Sequence, residues 1–190
     1  MKNVFADALK EKPVIAGVKD ISELDNAVNS DCKVIFLLCG NIFNLKESVR
    51  KAKEKNKIIF IHIDLIEGLS RDNVSLKYIS EEIRPDGIIS TKNNLLKAAK
   101  SLGMLTVQRV FLIDSLSIGT AIKASQMINP DAVEIMPGIM PRITKQISSS
   151  LEVPVIVGGL VSYEEEINLA LENGALGVST SSKLLWSLCL

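Results

Sequence analysis

The chain has 190 residues, room for one domain with a sizeable core but not comfortably for two. Apolar residues make up 47% and charged residues 23%, and Lys plus Arg balance Asp plus Glu at 22 each. This is ordinary globular composition, and it excludes a strongly basic nucleic-acid binder while leaving room for a local basic patch. Aromatics at 4% argue against a surface built to stack unpaired bases. Cys32, Cys39 and Cys189 form no CxxC pair and leave an odd number, which argues against a disulfide framework or thiolate zinc site and for a reducing compartment. The opening MKNVFADALKEKP carries charges every few residues and lacks the apolar core of a signal peptide. No stretch approaches the roughly 20 apolar residues that cross a bilayer, so a cytoplasmic, soluble protein with no membrane partner is expected.

From the first strand onward one rhythm runs along the chain. Short β-branched runs lie at 13–18 (PVIAGV), 33–38 (KVIFLL), 57–63 (KIIFIHI), 86–90 (DGIIS), 105–110 (LTVQRV), 132–136 (AVEIM), 154–158 (PVIVG) and 175–179 (ALGVS). Each is mostly apolar on both parities, the pattern of strands buried on both faces of a parallel sheet. Helical patterns separate them at 21–30, 44–55, 74–83, 93–102, 115–128, 138–150 and 163–173, with a last one from about 181. Asn44 and Ser162 read as N-caps, Gly174 as a C-terminal stop, and Pro13, Pro85, Pro130 and Pro154 each precede a strand, where a helix must not continue.

Eight strands alternating with eight helices predict an α/β fold, a compact (βα)8 TIM-type barrel with a parallel eight-stranded sheet, as a single barrel domain over 1–190. The length falls slightly below the usual range for that fold, so the loops must be minimal. The alternative is an open doubly wound sheet. Against it, the first strand ends in Gly17-Val18-Lys19-Asp20, with no glycine-rich phosphate loop.

In such a barrel the ligand site lies at the C-terminal strand ends. In the third strand Ile59, Ile61 and Ile63 take the outward parity, so Phe60, His62 and Asp64 point inward, with Glu67 at the rim just beyond. In the sixth, Val133 and Ile135 face out and Glu134 faces in. In the fifth, Thr106 and Gln108 are expected inward, with Arg109 at the end. Buried acids require cationic partners, for which Lys19 and Arg109 are the candidates. Either these residues form a satisfied polar layer or they line a ligand site. Gly158-Gly159 after the seventh strand and Ser179, Thr180 and Ser181 after the eighth read as a phosphate site, built from close backbone approach, hydroxyls and a helix N-terminus. The blander alternative is a tight turn and a helix cap.

Catalytic equipment is sparse. A metal-dependent epimerase needs several histidines and the chain has only His62; a Schiff-base aldolase needs a strand lysine, and the fifth to eighth strands hold none. No catalytic residue, metal or cofactor is therefore assigned, although Asp64 or Glu67 has the chemistry of a general acid or base. Arg50, Lys51, Lys53, Lys55 and Lys57 form a basic cluster opposed in the sequence only by Glu54. It reads either as a solvated helix end or as a contact for a nucleic-acid backbone.

The blocks FIHIDLIEGLSRD (60–72), RPDGIISTKNNLLKAAKSLGMLTVQRVFLIDS (84–115) and PDAVEIMPGIMPRI (130–143) resemble the glycerol uptake operon antiterminator family. So do VIFLLCGNIFNLKE (34–47), PVIVGGLV (154–161) and GALGVSTSSKLLW (174–186). The resemblance implies a TIM-type barrel that binds glycerol 3-phosphate as effector and acts on leader mRNA, so that transcription passes a terminator ahead of glycerol-utilisation genes. On that basis Gly158, Gly159, Ser179, Thr180 and Ser181 go to the phosphate. His62, Asp64, Glu67 and Glu134 go to the glycerol hydroxyls or their support, as do Lys19 and Arg109 as cations beside them. The basic cluster goes to RNA, with a homodimer as a way of pooling two modest patches. The alternative from the residues alone is a barrel isomerase or lyase acting on a small sugar phosphate.

Overall fold

A computed structural model describes residues 2–188; Met1, Cys189 and Leu190 lie outside the described residues. The strands are β1 (Val14–Val18), β2 (Val34–Leu37), β3 (Ile58–His62), β4 (Gly87–Ser90), β5 (Leu105–Phe111), β6 (Ala132–Met136), β7 (Val155–Gly158) and β8 (Gly177–Thr180). They pair in parallel in sequence order and β8 closes on β1, so the expected (βα)8 barrel is the fold.

Helix α1 (Lys2–Glu11) precedes the barrel. The connecting helices are α2 (Leu24–Asn29), α3 (Leu45–Glu54), α4 (Asn73–Tyr78), α5 (Asn93–Ser101), α6 (Ser115–Ile128), α7 (Pro141–Ser148) and α8 (Glu164–Glu172). The economy that 190 residues impose shows in the shortest connections. A 3-10 turn at Ile21–Glu23 leads into α2, a π turn at Ile79–Ile83 ends α4, and a 3-10 helix at Lys183–Ser187 stands where the sequence promised an eighth α-helix.

Two caps differ from expectation. Asn44 occupies the N-cap of α3, but its Oδ1 accepts from the Asn41 N–H at 2.8 Å. The α8 entrance is closed by Glu166, whose carboxylate accepts from the Ser162 and Tyr163 N–H groups at 2.7 and 3.1 Å, so Ser162 is not the capping side chain. Among the described residues no helix is long and apolar enough to cross a membrane.

The strands divide their side chains between two apolar bodies. Ile59, Ile61, Val133 and Ile135 join the layer between barrel and helices, as expected. Ile15, Val34, Phe36, Phe60, Ile89, Leu105, Val107, Ala132 and Ile156 fill the barrel interior. In β5 the expected parity is reversed: Val107 faces in, whereas Gln108 reaches the helices, donating to Asn93 Oδ1 at 3.2 Å and accepting from Ser125 Oγ at 2.7 Å. Thr106 Oγ1 likewise donates to the Asp131 carboxylate at 3.0 Å. Both parities of β5 carry polar residues, so periodicity alone gave no direction; the partners on α5, α6 and the β6 approach decide it.

The feature the sequence reading missed is α1. Phe5, Ala8 and Leu9, at the spacing of one helical face, belong to the interior cluster and close the N-terminal end of the barrel. The Phe5 ring lies 4.7 Å from that of Phe60, and Phe5 is 1% exposed. Phe5→Ala opens this floor, and urea denaturation is expected to show a loss of about 3–5 kcal/mol, the usual cost of emptying a large core position. A loss below about 1 kcal/mol would mean that α1 rests on the barrel without plugging it.

Candidate functional site

Above the apolar interior, the next inward positions are polar. His62 stands two residues beyond Phe60, Arg109 two beyond Val107, and Glu134 two beyond Ala132. Glu134 is fully buried; its Oε2 accepts from Arg109 Nε at 2.6 Å and its Oε1 from Ser179 Oγ at 2.5 Å. One carboxylate thus fixes a guanidinium on β5 and a hydroxyl on β8. Gly158, between them on β7, leaves the space they need: a Cβ there would stand 2.3 Å from Ser179 Oγ and 2.7 Å from Glu134 Oε1.

A cavity of about 50 Å³ opens above this group, walled by Gly17, Lys19, Arg109, the Gly159–Val161 turn and Ser179–Ser181, with Leu38 and Met136 as apolar walls. At ~10–15 Å³ per water, it holds roughly four waters, the scale of one small anionic group. Two of the expected hydroxyl donors are already committed. The Ser179 hydroxyl proton is committed to Glu134, and Thr180 Oγ1 donates to the Val161 carbonyl at 2.8 Å while accepting from the Ser182 N–H. Among the described residues, nothing accepts from the N–H groups of Gly159, Leu160, Val161 and Ser181 or from Ser181 Oγ, and Lys19 has no ion pair. Gly159 and Leu160 both hold positive φ, +74° and +64°. Leucine rarely adopts that conformation, which is a local strain of the kind found at ligand sites. Leu160 and Val161, as backbone donors, are the site residues that a search for polar side chains passes over; the glycine pair before them was the available signal.

Toward β3 and β4 the chemistry changes. Asp64 leaves β3 in a 3-10 turn, and its Oδ2 accepts from Ser90 Oγ and the Thr91 N–H, each at 2.9 Å. Its other oxygen, Oδ1, is buried with no partner, as is His62 Nδ1. His62 Nδ1 lies 3.8 Å from Asp64 Oδ2, too far for a hydrogen bond. Burial first, and the nearby Arg109 charge second, push the His62 imidazole down to about 4, so it is neutral at pH 7. Glu67 stands apart: its side chain is exposed on the β3 loop and its backbone pairs with Gly40 and Ile42. Of the expected site residues, the cavity gathers Lys19, Arg109, Gly159, Ser179, Thr180 and Ser181. Glu134 and Gly158 touch its wall through Arg109 and Ser179, whereas His62 and Asp64 are not part of that wall, and Asp64 lines a separate open pocket with Arg71 and Lys92.

The basic cluster changes most on folding. Glu54 is not its only opponent: Arg50 pairs with Glu47 and Glu54, Lys51 with Asp25 at 2.8 Å, and Lys53 with Asp86 at 3.4 Å. Lys57 donates to the Ser30 and Cys32 carbonyls at 2.6 and 2.9 Å, and Lys55 alone has no partner among the described residues. Asp25 and Asp86 are distant in sequence, which is why linear inspection overstated the charge. The cluster ends α3, at the end of the barrel opposite the cavity.

A parallel barrel with a small, cation-bearing polar cavity at the C-terminal mouth is the class that fold and site define. Comparison with known proteins narrows it. The chain belongs to the glycerol-3-phosphate responsive antiterminator family, whose model matches residues 14–186. It is 39% identical over 180 residues to the uncharacterized protein YgcP of Escherichia coli K12, covering 95% of this chain and 94% of that one. A solved glycerol uptake operon antiterminator regulatory protein from Listeria monocytogenes superposes with a TM-score of 0.88 at 34% identity, covering 92% of this chain and 95% of its own. A glycerol uptake operon antiterminator-related protein from Thermotoga maritima gives 0.81 at 31%, covering 92% and 98%.

The buried histidine makes stability depend on pH. Its folded value, about 4, lies below its unfolded value near 6.5, so the unfolded chain holds the extra proton between them. Stability is therefore lost as pH falls through that window, by roughly 3 kcal/mol when complete. Urea midpoints measured from pH 7 to 4 are expected to fall less steeply in His62→Gln than in the native chain; parallel curves would place the titration elsewhere.

Proposed function

We propose that the protein is a cytoplasmic antiterminator that binds glycerol 3-phosphate and, in response, acts on leader mRNA of glycerol-utilisation genes. The observation that carries the metabolite is the division of the mouth into two chemistries. On the β7–β8–β1 side unpaired N–H groups, Lys19 and Arg109 suit a phosphoryl dianion. Gly158, Ser179 and Thr180 shape that side rather than supply its hydroxyl protons. Beside it, His62 Nδ1 and Asp64 Oδ1 suit hydroxyls of a short polyol. Glu134 supports both halves by holding Arg109, and Glu67 belongs to the rim.

Family membership supports RNA as the target. The cations Arg50, Lys51, Lys53, Lys55 and Lys57 are the proposed contact. Their pairs on the surface are exposed and screened by solvent, so a polyphosphate competes for them readily. A homodimer presenting two such surfaces fits the same reading.

Ligand-observed NMR tests the metabolite. Saturation is expected to transfer to glycerol 3-phosphate and not to glycerol, with the ester intact after a day; new product signals would favour the isomerase or lyase reading instead. Lys19→Met removes a cation that has no ion pair to break, so it is expected to weaken binding on the order of tenfold with the melting temperature unchanged. Unchanged affinity would remove Lys19 from the phosphate site.

Leader RNA binding is expected to fall steeply with salt. The triple variant Lys51→Ala, Lys53→Ala, Lys55→Ala is expected to lose RNA at least tenfold, by order of magnitude, while keeping the metabolite. Native RNA affinity in that variant would move the RNA surface off α3.

A further inference from the structure

The two orphaned atoms at the C-terminal end of β3, outside the cavity wall itself, restrict what a ligand reaching across the mouth presents there. Asp64 is held by Ser90 and Thr91 through Oδ2 only, and this contact turns Oδ1 into a buried position without a partner. A carboxylate oxygen accepts and never donates, so whatever meets Oδ1 must bring a proton. Next to it stands the ring of His62, 3% exposed, with Nδ1 also unpartnered. Burial and the Arg109 charge hold that ring neutral at pH 7, so it brings no cation to balance a second anion.

We infer that the mouth reads the oxidation level of the carbon farthest from the phosphate, accepting an alcohol at Asp64 and rejecting a carboxylate there. This deepens the glycerol 3-phosphate reading and rests on it. A primary alcohol donates to Asp64 Oδ1 and satisfies both groups. A carboxylate at the same carbon sets two acceptors and two negative charges against each other in a partly desolvated site, where like charges in contact are strongly disfavoured. The phosphate half is indifferent to the change, because its donors lie on the β7–β8–β1 side. Arg71 and Lys92 line an exposed pocket with Asp64, but neither reaches Oδ1, and the Arg71 guanidinium donates to the Asp64 main-chain oxygen at 2.7 Å instead. The protein would therefore respond to a phosphorylated polyol and ignore a phosphorylated hydroxy acid of the same length.

The test compares racemic glycerol 3-phosphate with racemic 3-phosphoglycerate, which differ only in CH₂OH against COO⁻ at one carbon, with inorganic phosphate as a third probe. Calorimetry on the full chain is expected to show the alcohol bound on the order of 100-fold more tightly than the acid. Asp64→Asn keeps an oxygen for Ser90 and Thr91 and turns an amide toward the ligand; it is expected to shrink that ratio at least tenfold, on the order of a charged hydrogen bond, chiefly by tightening the acid. Inorganic phosphate affinity should not change. A second variant, Asp64→Ser, removes the charge with a smaller group and is expected to shrink the ratio too. Equal binding of the two esters by the native chain, or an undiminished ratio in both variants, overturns the inference and leaves the metabolite reading standing. Phosphate binding with neither ester bound overturns both.

Discussion

The site hangs on one buried carboxylate. Glu134 has no exposure to water, and an isolated ion at that depth is too costly to persist. Its two oxygens are met by Arg109 and Ser179, and the resulting triad ties β5, β6 and β8 together at one level of the barrel. An ion pair of this kind is weak evidence for stability, because well-packed apolar residues of similar volume serve a core as well. Its presence is explained by what it orients. Arg109 is held by Nε, so the remaining guanidinium N–H groups are free to face the cavity. Ser179 is held by its proton, so it shapes the wall without donating. Gly158 follows as a requirement, since any side chain there enters the Glu134–Ser179 hydrogen bond.

The same economy runs through the neighbouring groups. Several hydroxyl and carboxylate groups near the cavity are fixed as partners of one another. Ser179 is bound to Glu134, Thr180 to Val161 and Ser182, and Asp64 to Ser90 and Thr91. The groups left over among the described residues are backbone N–H donors, Lys19, the outer N–H groups of Arg109, the Ser181 hydroxyl and the two orphaned atoms. Such a set has the donors for an anion and, in His62 and Asp64, acceptors for hydroxyls.

The fold was legible because both of its periodicities are strong. Strands apolar on both parities, separated by amphipathic helices and punctuated by proline, leave few architectures open. Parity was read correctly where one face was uniformly β-branched, as in Ile59, Ile61 and Ile63. It failed in β5, where Thr106 and Gln108 are polar and their partners Asp131, Asn93 and Ser125 come from other elements. Helix α1 escaped notice because three apolar residues among charges look like a solvated terminus until a barrel floor exists for them to cover. The basic cluster failed in the opposite sense. Its acids come from positions 25 and 86, brought to α3 only by the fold. Glycines and hydroxyls near strand ends do line a cavity, but the division of labour within it depends on where each proton goes, and that is set by partners from other elements.

Apolar sealing and polar groups are thus concentrated at opposite ends of the barrel. Phe5 and Leu9 seal the N-terminal end with apolar surface, and the polar groups collect at the C-terminal end above a layer of Phe60, Val107, Ala132 and Ile156. The proposed function needs a signal to leave that mouth, and one set of contacts runs from it to the other end of the barrel. The Thr180 carbonyl, in the cavity wall, accepts from the Trp186 indole at 2.8 Å, and the Trp186 carbonyl takes the Cys32 thiol at 3.4 Å beside the Ser30 and Lys57 contacts at the far end. Lys183, on the same 3-10 segment, pairs with Glu23 at the entrance to α2. The last turn of the chain therefore touches the cavity wall, the α2 entrance and the region beside α3 at once. Coupling along this route requires a second arrangement of the segment that the ligand favours or disfavours. The segment is a 3-10 helix of five residues anchored by buried Leu185 and Trp186, so any rearrangement that moves it also moves the Thr180 carbonyl bonded to the Trp186 indole.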